Sequence, residues 1–103
     1  AREWAPAVTA LERAAARTDA PEPLLLLGQM HLHWERYEAA LEALRAAGAR
    51  EGAAPSPHTA WLLALSAWNL ERFETAREAL AIARESARYR GQAEQLLRQL
   101  ENR

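Results

Sequence analysis

Three histidines and two runs of glutamates are the groups in this chain best placed to do chemistry. His31, His33 and His58 offer imidazole nitrogens, the usual nitrogen donors of zinc sites. Glu35, Glu38 and Glu42, and again Glu71, Glu74 and Glu78, recur at three- and four-residue spacing. On a helix that spacing sets carboxylates side by side, as general acid–base catalysis requires. Neither set makes a site. His31 and His33 are two residues apart, so on a helix they point about 200° away from one another and cannot share an ion. Both glutamate runs alternate with Arg36, Arg45, Arg72 and Arg77, the pattern of a solvated helix face. Ser56, Ser66 and Ser86 stand outside any nucleophile elbow, and no glycine-rich phosphate loop is present. Cysteine is absent, which removes thiolate nucleophiles, thiolate metal sites and disulfides. The expectation is a protein that is not an enzyme and that needs neither cofactor nor metal.

At 103 residues the chain makes one domain, with a core large enough to fold alone. Half of it is apolar, and the abundance of Ala and Leu suits close-packed helices. A net charge of −1 gives no footprint for nucleic acid or an acidic membrane surface. From Arg72 onward the residues include seven Arg and five Glu, a mild excess that reads as a solvated face. No apolar run approaches the ~20 residues of a membrane span. No signal peptide is visible, and the absence of cysteine is compatible with a reducing compartment, so a cytoplasmic location is slightly favoured. The first residue is Ala1 rather than Met, which points to a processed end or to a piece cut from a longer chain.

The elements that carry these residues are announced by a repeat. The pattern aromatic-x-x-Ala-x-x-Ala-Leu-x-x-Ala occurs three times, at Trp4/Ala7/Ala10/Leu11/Ala14, Tyr37/Ala40/Ala43/Leu44/Ala47 and Phe73/Ala76/Ala79/Leu80/Ala83. The copies are 33 and 36 residues apart. A period of that size marks a helical solenoid, whose units bury their apolar faces by stacking on one another. Within each copy the aromatic, first Ala, Leu and last Ala form one stripe of an α-helix. The preceding segments carry matching stripes, Leu24/Leu27/Gly28/His31/Trp34 and Ala60/Leu63/Ala64/Ala67/Leu70. Gly28 and Ala64 are equivalent under the 36-residue shift and both are small, as close helix contact requires. Breakers cluster at Asp19–Pro23 and Gly48–Pro57, and Ser56-Pro57 reads as an N-cap followed by proline in the first turn. The spacing predicts five or six helices over about 3–17, 22–34, 36–49, 57–70, 72–87 and 90–102. Tyr89 and Gly91 weaken the last break, so that the fifth and sixth segments partly fuse or stay apart.

Leu27-Gly28, Tyr37, Ala40, Leu44 and Ala47 resemble the tetratricopeptide repeat (TPR) signature. Leu63-Ala64, Phe73, Ala76, Leu80 and Ala83 match it again, and Trp4, Ala7, Leu11 and Ala14 match its second half. The resemblance implies an all-α, right-handed superhelix of antiparallel helix pairs. It divides the chain into half a repeat (1–20), two repeats (21–56 and 57–87) and a capping helix (88–103). Leu24 and Ala60 replace the family's opening aromatic, and Glu35 and Glu71 replace its glycine between paired helices.

The resemblance also implies a concave face lined by the first helix of each repeat, here Leu25, Gln29, Leu32, His33, Trp61, Leu65, Trp68 and Asn69. These residues are also the ones left over once the core stripes are assigned. Family members that grip C-terminal carboxylates use Lys, Arg and Asn where this chain has Leu25, Gln29, Trp61 and Leu65, so the expected partner is an apolar or amphipathic protein segment. The opposing expectation is that Trp61 and Trp68 pack under the last helix, whose Leu96, Leu97 and Leu100 need apolar neighbours. A second function class is a self-associating structural unit. The first repeat lacks its first helix, leaving Trp4, Ala7 and Leu11 to meet another copy or upstream repeats.

Overall fold

The computed structural model describes residues 4–102, which form six helices and, among the described residues, no strand. They are α1 (Trp4–Ala16), α2 (Glu22–His33), α3 (Tyr37–Glu51), α4 (Pro57–Asn69), α5 (Phe73–Ala83) and α6 (Ala87–Glu101). Helices α2 and α3 form one hairpin and α4 and α5 the next, with α1 laid on α2, α3 on α4, and α6 on α5 and α4. The expected start of the first helix near residue 3 lies outside the described residues. The last break falls earlier than Tyr89. Helix α5 stops at Ala83 and α6 begins at Ala87, because the Ser86 side chain caps it, accepting from the Arg88 N–H at 3.3 Å. Tyr89 and Gly91 therefore lie inside α6.

The repeated stripe is the core. Ala40, Leu44, Ala47, Ala76, Leu80 and Ala83 are all 0% exposed. Their counterparts in α1, namely Ala7, Leu11 and Ala14, are only half-buried. The same residue types at the same spacing thus reach different burial, because among the described residues no helix lies over α1 as α2 lies over α3. Methyl side chains let the pairs approach closely. A Cβ placed on Gly28 would lie 2.5 Å from Leu44 Cδ2 and Cγ, inside van der Waals contact. Gly28 is the one residue that fits there.

Each hairpin must reverse within three residues. The reversal puts Glu35 and Glu71 at φ 59° in the left-handed region, which costs a non-glycine residue roughly 1–2 kcal/mol. Both turns close a Schellman motif that satisfies the last carbonyls of the first helix. The Arg36 N–H donates to His31 O at 2.8 Å and the Glu35 N–H to Leu32 O at 3.0 Å. In the second turn the Arg72 N–H donates to Ala67 O at 2.9 Å and the Glu71 N–H to Trp68 O at 3.0 Å.

The longer links between hairpins are fastened by side chains. Arg50 Nη1 donates to the carbonyls of Ala15, Thr18 and Ala20 at 2.9–3.1 Å, tying the end of α3 to the α1–α2 loop. At the start of α4 the Ser56 hydroxyl accepts the Thr59 N–H at 3.3 Å. Glu51 accepts from the Ser56 N–H at 2.8 Å and from the buried Thr59 hydroxyl at 2.8 Å, so the Gly52–Pro55 loop is bridged at both ends. The glutamate runs are exposed and partly paired with arginine, Glu38 with Arg72 at 2.8 Å and Glu74 with Arg77 at 2.7 Å.

Two glycines give opposite expectations. Gly91, in the middle of α6, has nothing near its missing Cβ, so Gly91→Ala should stabilise the fold by about 1 kcal/mol through helix propensity. Gly28→Ala gains the same propensity but forces Leu44 to move, and should destabilise by about 1–3 kcal/mol. Urea denaturation of the two variants checks both signs.

Candidate functional site

Helices α2, α4 and α6 share one side of the stack, and a polar chain runs across them. Gln29 Nε2 in α2 donates to His58 Nε2 at 3.2 Å, and His58 Nδ1 in turn donates to the Tyr89 hydroxyl oxygen in α6 at 2.6 Å. This direction follows from the Gln29 amide donating, which leaves the neutral imidazole its proton on Nδ1. Tyr89 also stacks on Trp61, with ring centroids 5.6 Å apart and planes 18° from parallel. Trp68 meets Phe73 edge-on at 5.6 Å. Trp61 and Trp68 are half-buried and pack on the same core cluster as Leu96, Leu97 and the buried Leu100. Each tryptophan thus divides its surface between the core and the outside. Of the remaining residues expected on the concave face, Leu25, Gln29, Leu32 and Leu65 are half-buried, while His33 and Asn69 are exposed.

Three glimpses of this face were missed in the sequence. The sequence offers His58 only as a metal ligand, Tyr89 only as a residue that leaves the last break open, and α6 only as a cap. Tyr89-x-x-x-Ala93 repeats the spacing of Leu24-x-x-x-Gly28 and Ala60-x-x-x-Ala64, and Ala93 is buried as Gly28 and Ala64 are. That signal places α6 as the first helix of a third layer. It was hidden because the link before α6 is short, so Ala93 follows Ala64 by 29 residues rather than 36.

A second surface lies at the α1 end. Leu11, Leu26, Gln29, Met30, His33 and Trp34 line an open cleft of about 410 Å³, almost wholly apolar. Leu26 is 51% exposed and Trp34 37% exposed. Trp34 was expected in the core stripe. It falls instead at the C-cap of α2, beyond the last buried turn, with its ring against His33. Of the three residues expected to mark the uncovered end, Leu11 lines this cleft. Trp4 packs on Val8, Leu27 and Ala43, and the Arg36 guanidinium lies 3.8 Å above its ring centroid. Ala7 is half-buried and is not part of the cleft.

The histidines are dispersed over the fold, with His31 in the core, His33 on the cleft and His58 in the polar chain. His31 is 5% exposed and its Nδ1 has no partner. Burial pushes its pKa below the ordinary 6.5, the positive charge of Arg36 lowers it further, and Glu12 opposes both.

Stacked helix pairs, an alanine–leucine core and an inner face of first helices define a TPR-like repeat protein. The match to a family model is more specific. Residues 1–83 fit the model described as anaphase-promoting complex, cyclosome, subunit 3, a TPR-type repeat family, and the chain belongs to that family. Comparison with curated proteins and with solved structures found no match. As a TPR-like repeat protein the chain is a protein–protein interaction scaffold.

The shift at His31 makes stability depend on pH. Its folded pKa lies below its unfolded value, so the unfolded chain takes up the proton first. This stability is fully present above pH 6.5 and is lost as the pH falls towards the folded pKa. The melting temperature should therefore drop between about pH 7.5 and about pH 5.5. In His31→Leu the drop should shrink. Calorimetry of both proteins across that range is the check, and an unchanged slope in the variant would contradict it.

Proposed function

We propose that this scaffold binds an apolar or amphipathic segment of a protein partner on the face formed by α2, α4 and α6. The observation that carries the reading is the row of half-buried apolar residues left along that face, Leu25, Leu32, Trp61, Leu65 and Trp68, edged by exposed His33 and Asn69. Large apolar and aromatic side chains set among polar ones are the usual composition of a binding hot spot. The Gln29–His58–Tyr89 chain supports it by fixing the spacing of the three helices before a ligand arrives, which lowers the ordering cost of binding. An uncharged floor suits an uncharged helix seam better than a carboxylate or a phosphate. The family's name, that of a subunit of a multiprotein complex, is in keeping with a role in assembly rather than in catalysis.

Leu65 is the best probe. It is half-buried, and its equivalent one repeat earlier is Gln29, so the fold already accepts an amide at that place. Peptides selected from a helix-forming library on the wild-type protein should bind Leu65→Gln about tenfold more weakly. The melting temperature should change little, since the half-exposed site gives up only about 1 kcal/mol of burial. Trp61→Ala should lose both affinity and stability, because it also removes the stack on Tyr89. Selected peptides that bind Leu65→Gln as tightly as the wild type would overturn the proposed face.

A further inference from the structure

Between successive second helices the stack carries grooves, and the first of them holds negative charge that nothing around it answers. It lies between α1 and α3 over α2 and has a volume of about 310 Å³, at the low end of small-molecule sites, about 300–1,000 Å³. Leu24, Leu27 and Ala43 give it an apolar lining, and Glu12 and Glu42 supply two carboxylates. Among the described residues neither carboxylate has an ion pair or a hydrogen bond, whereas Glu38 and Glu74, outside the groove, are paired with arginines. His31 lines the groove as well, is 5% exposed, and has no partner for its Nδ1. A buried nitrogen left unbonded carries an uncompensated desolvation cost. Arg36, whose charge reaches His31, lies over the Trp4 ring and lines an adjoining surface rather than this groove. Burial and this arginine keep the imidazole uncharged, so it retains an acceptor nitrogen.

The same groove recurs one layer on, between α3 and α5 over α4, with a volume of about 210 Å³. The 36-residue shift carries Leu27, Glu42 and Ala43 onto Leu63, Glu78 and Ala79, and the 33-residue shift carries Glu12 onto Arg45. All four counterparts line the second groove. That groove stands in the middle of the stack and is open too, so the opening of the first does not depend on any layer beyond α1. What differs is charge. In the second groove Arg45 balances Glu78, and the fully buried Ala67 stands where the first has His31. The first groove sets two carboxylates together and puts an imidazole in place of a methyl group. An aliphatic chain ending in a cation is built into the second groove as Arg45 and is absent from the first.

We propose that the groove between α1 and α3 binds a primary aliphatic amine, its alkyl chain on Leu24, Leu27 and Ala43 and its ammonium shared among Glu12, Glu42 and His31. An ammonium has three donors for these three acceptors. A metal ion suits the groove less well, because among the described residues no group of three His, Asp or Glu is placed to hold one. An ammonium spans a wider gap, since its acceptors stand about 2.7–2.9 Å from the nitrogen and metal ligands about 2.0–2.2 Å from the ion. A free amine and the lysine side chain of a partner share this chemistry. No residue of the inner face in the proposed function lines this groove, and the two sites stand or fall independently.

The test titrates n-pentylammonium chloride into the whole nitrogen-labelled chain at low ionic strength and follows amide and imidazole shifts by NMR. Leu24, Leu27, Ala43 and the His31 ring should shift together and saturate, with a midpoint of about 1–10 mM. Glu12→Gln and Glu42→Gln, both at exposed positions, should each weaken binding about threefold or more. Glu78→Gln, in the second groove, should leave it unchanged. Pentanol, the same chain without the charge, should bind at least about fivefold more weakly. The capped peptide acetyl-Gly-Lys-Gly-amide separates the two sources. Binding at least as tight as that of pentylammonium assigns the site to a partner's lysine, weaker binding assigns it to a free amine, and both uphold it. The proposal is overturned by absence of saturation up to about 50 mM amine, by pentanol binding as tightly, or by an affinity that either Glu12→Gln or Glu42→Gln leaves intact. A His31 ring that does not shift at saturation overturns it equally.

Discussion

The rest of the structure depends on how closely the two helices of a pair approach. Where Gly28 meets Leu44 there is no room for one more carbon, and the matching positions are held by Ala64 and Ala93. Small side chains on one helix leave a groove, the leucine of its partner fills it, and a layer results. Nearly everything else follows from keeping that contact. The pair must turn back within three residues, so the backbone takes up left-handed geometry at Glu35 and Glu71, and two hydrogen bonds per turn offset the strain. Arg50 and Glu51 then hold the longer links that deliver one pair to the next.

Much of this was legible in the sequence because the contact repeats. Alanines at fixed steps from a leucine, twice in phase and once more by half, suffice to name the architecture and to assign Ala40, Leu44, Ala76 and Leu80 to the core. What was illegible has identifiable physical causes. Glycine is the expected residue at a left-handed turn, so glutamate at 35 and 71 read as a departure from the pattern. The turn forms nonetheless, because the Schellman bonds and the packing of the helix pair outweigh the local preference. Helix α6 was read as a cap because a shortened link moves Ala93 out of the expected period. Its Ser86 cap and its Tyr89–Ala93 step give it the packing position of a first helix, while its outer face stays polar as that of a cap does.

The candidate surfaces were less legible than the core for a reason that applies to repeat proteins generally. A stripe predicts which side of a helix is buried, but not how much of a large side chain remains outside. Trp61 and Trp68 pack on the core and are nonetheless only half-buried. Trp34 sits in phase with the core stripe, but its helix ends beneath it, so the ring is left at the rim. Periodicity sees neighbours along one helix. Exposure is decided by whether another helix lies across them.

The unlike ends of the stack give it a direction. The outward side of α6 presents arginines and glutamines to water, and α1 with α2 presents leucine, methionine and tryptophan. One side of the described stack is wetted through guanidinium and amide groups and the other meets water as hydrocarbon, so the molecule carries a polarity along its stacking axis.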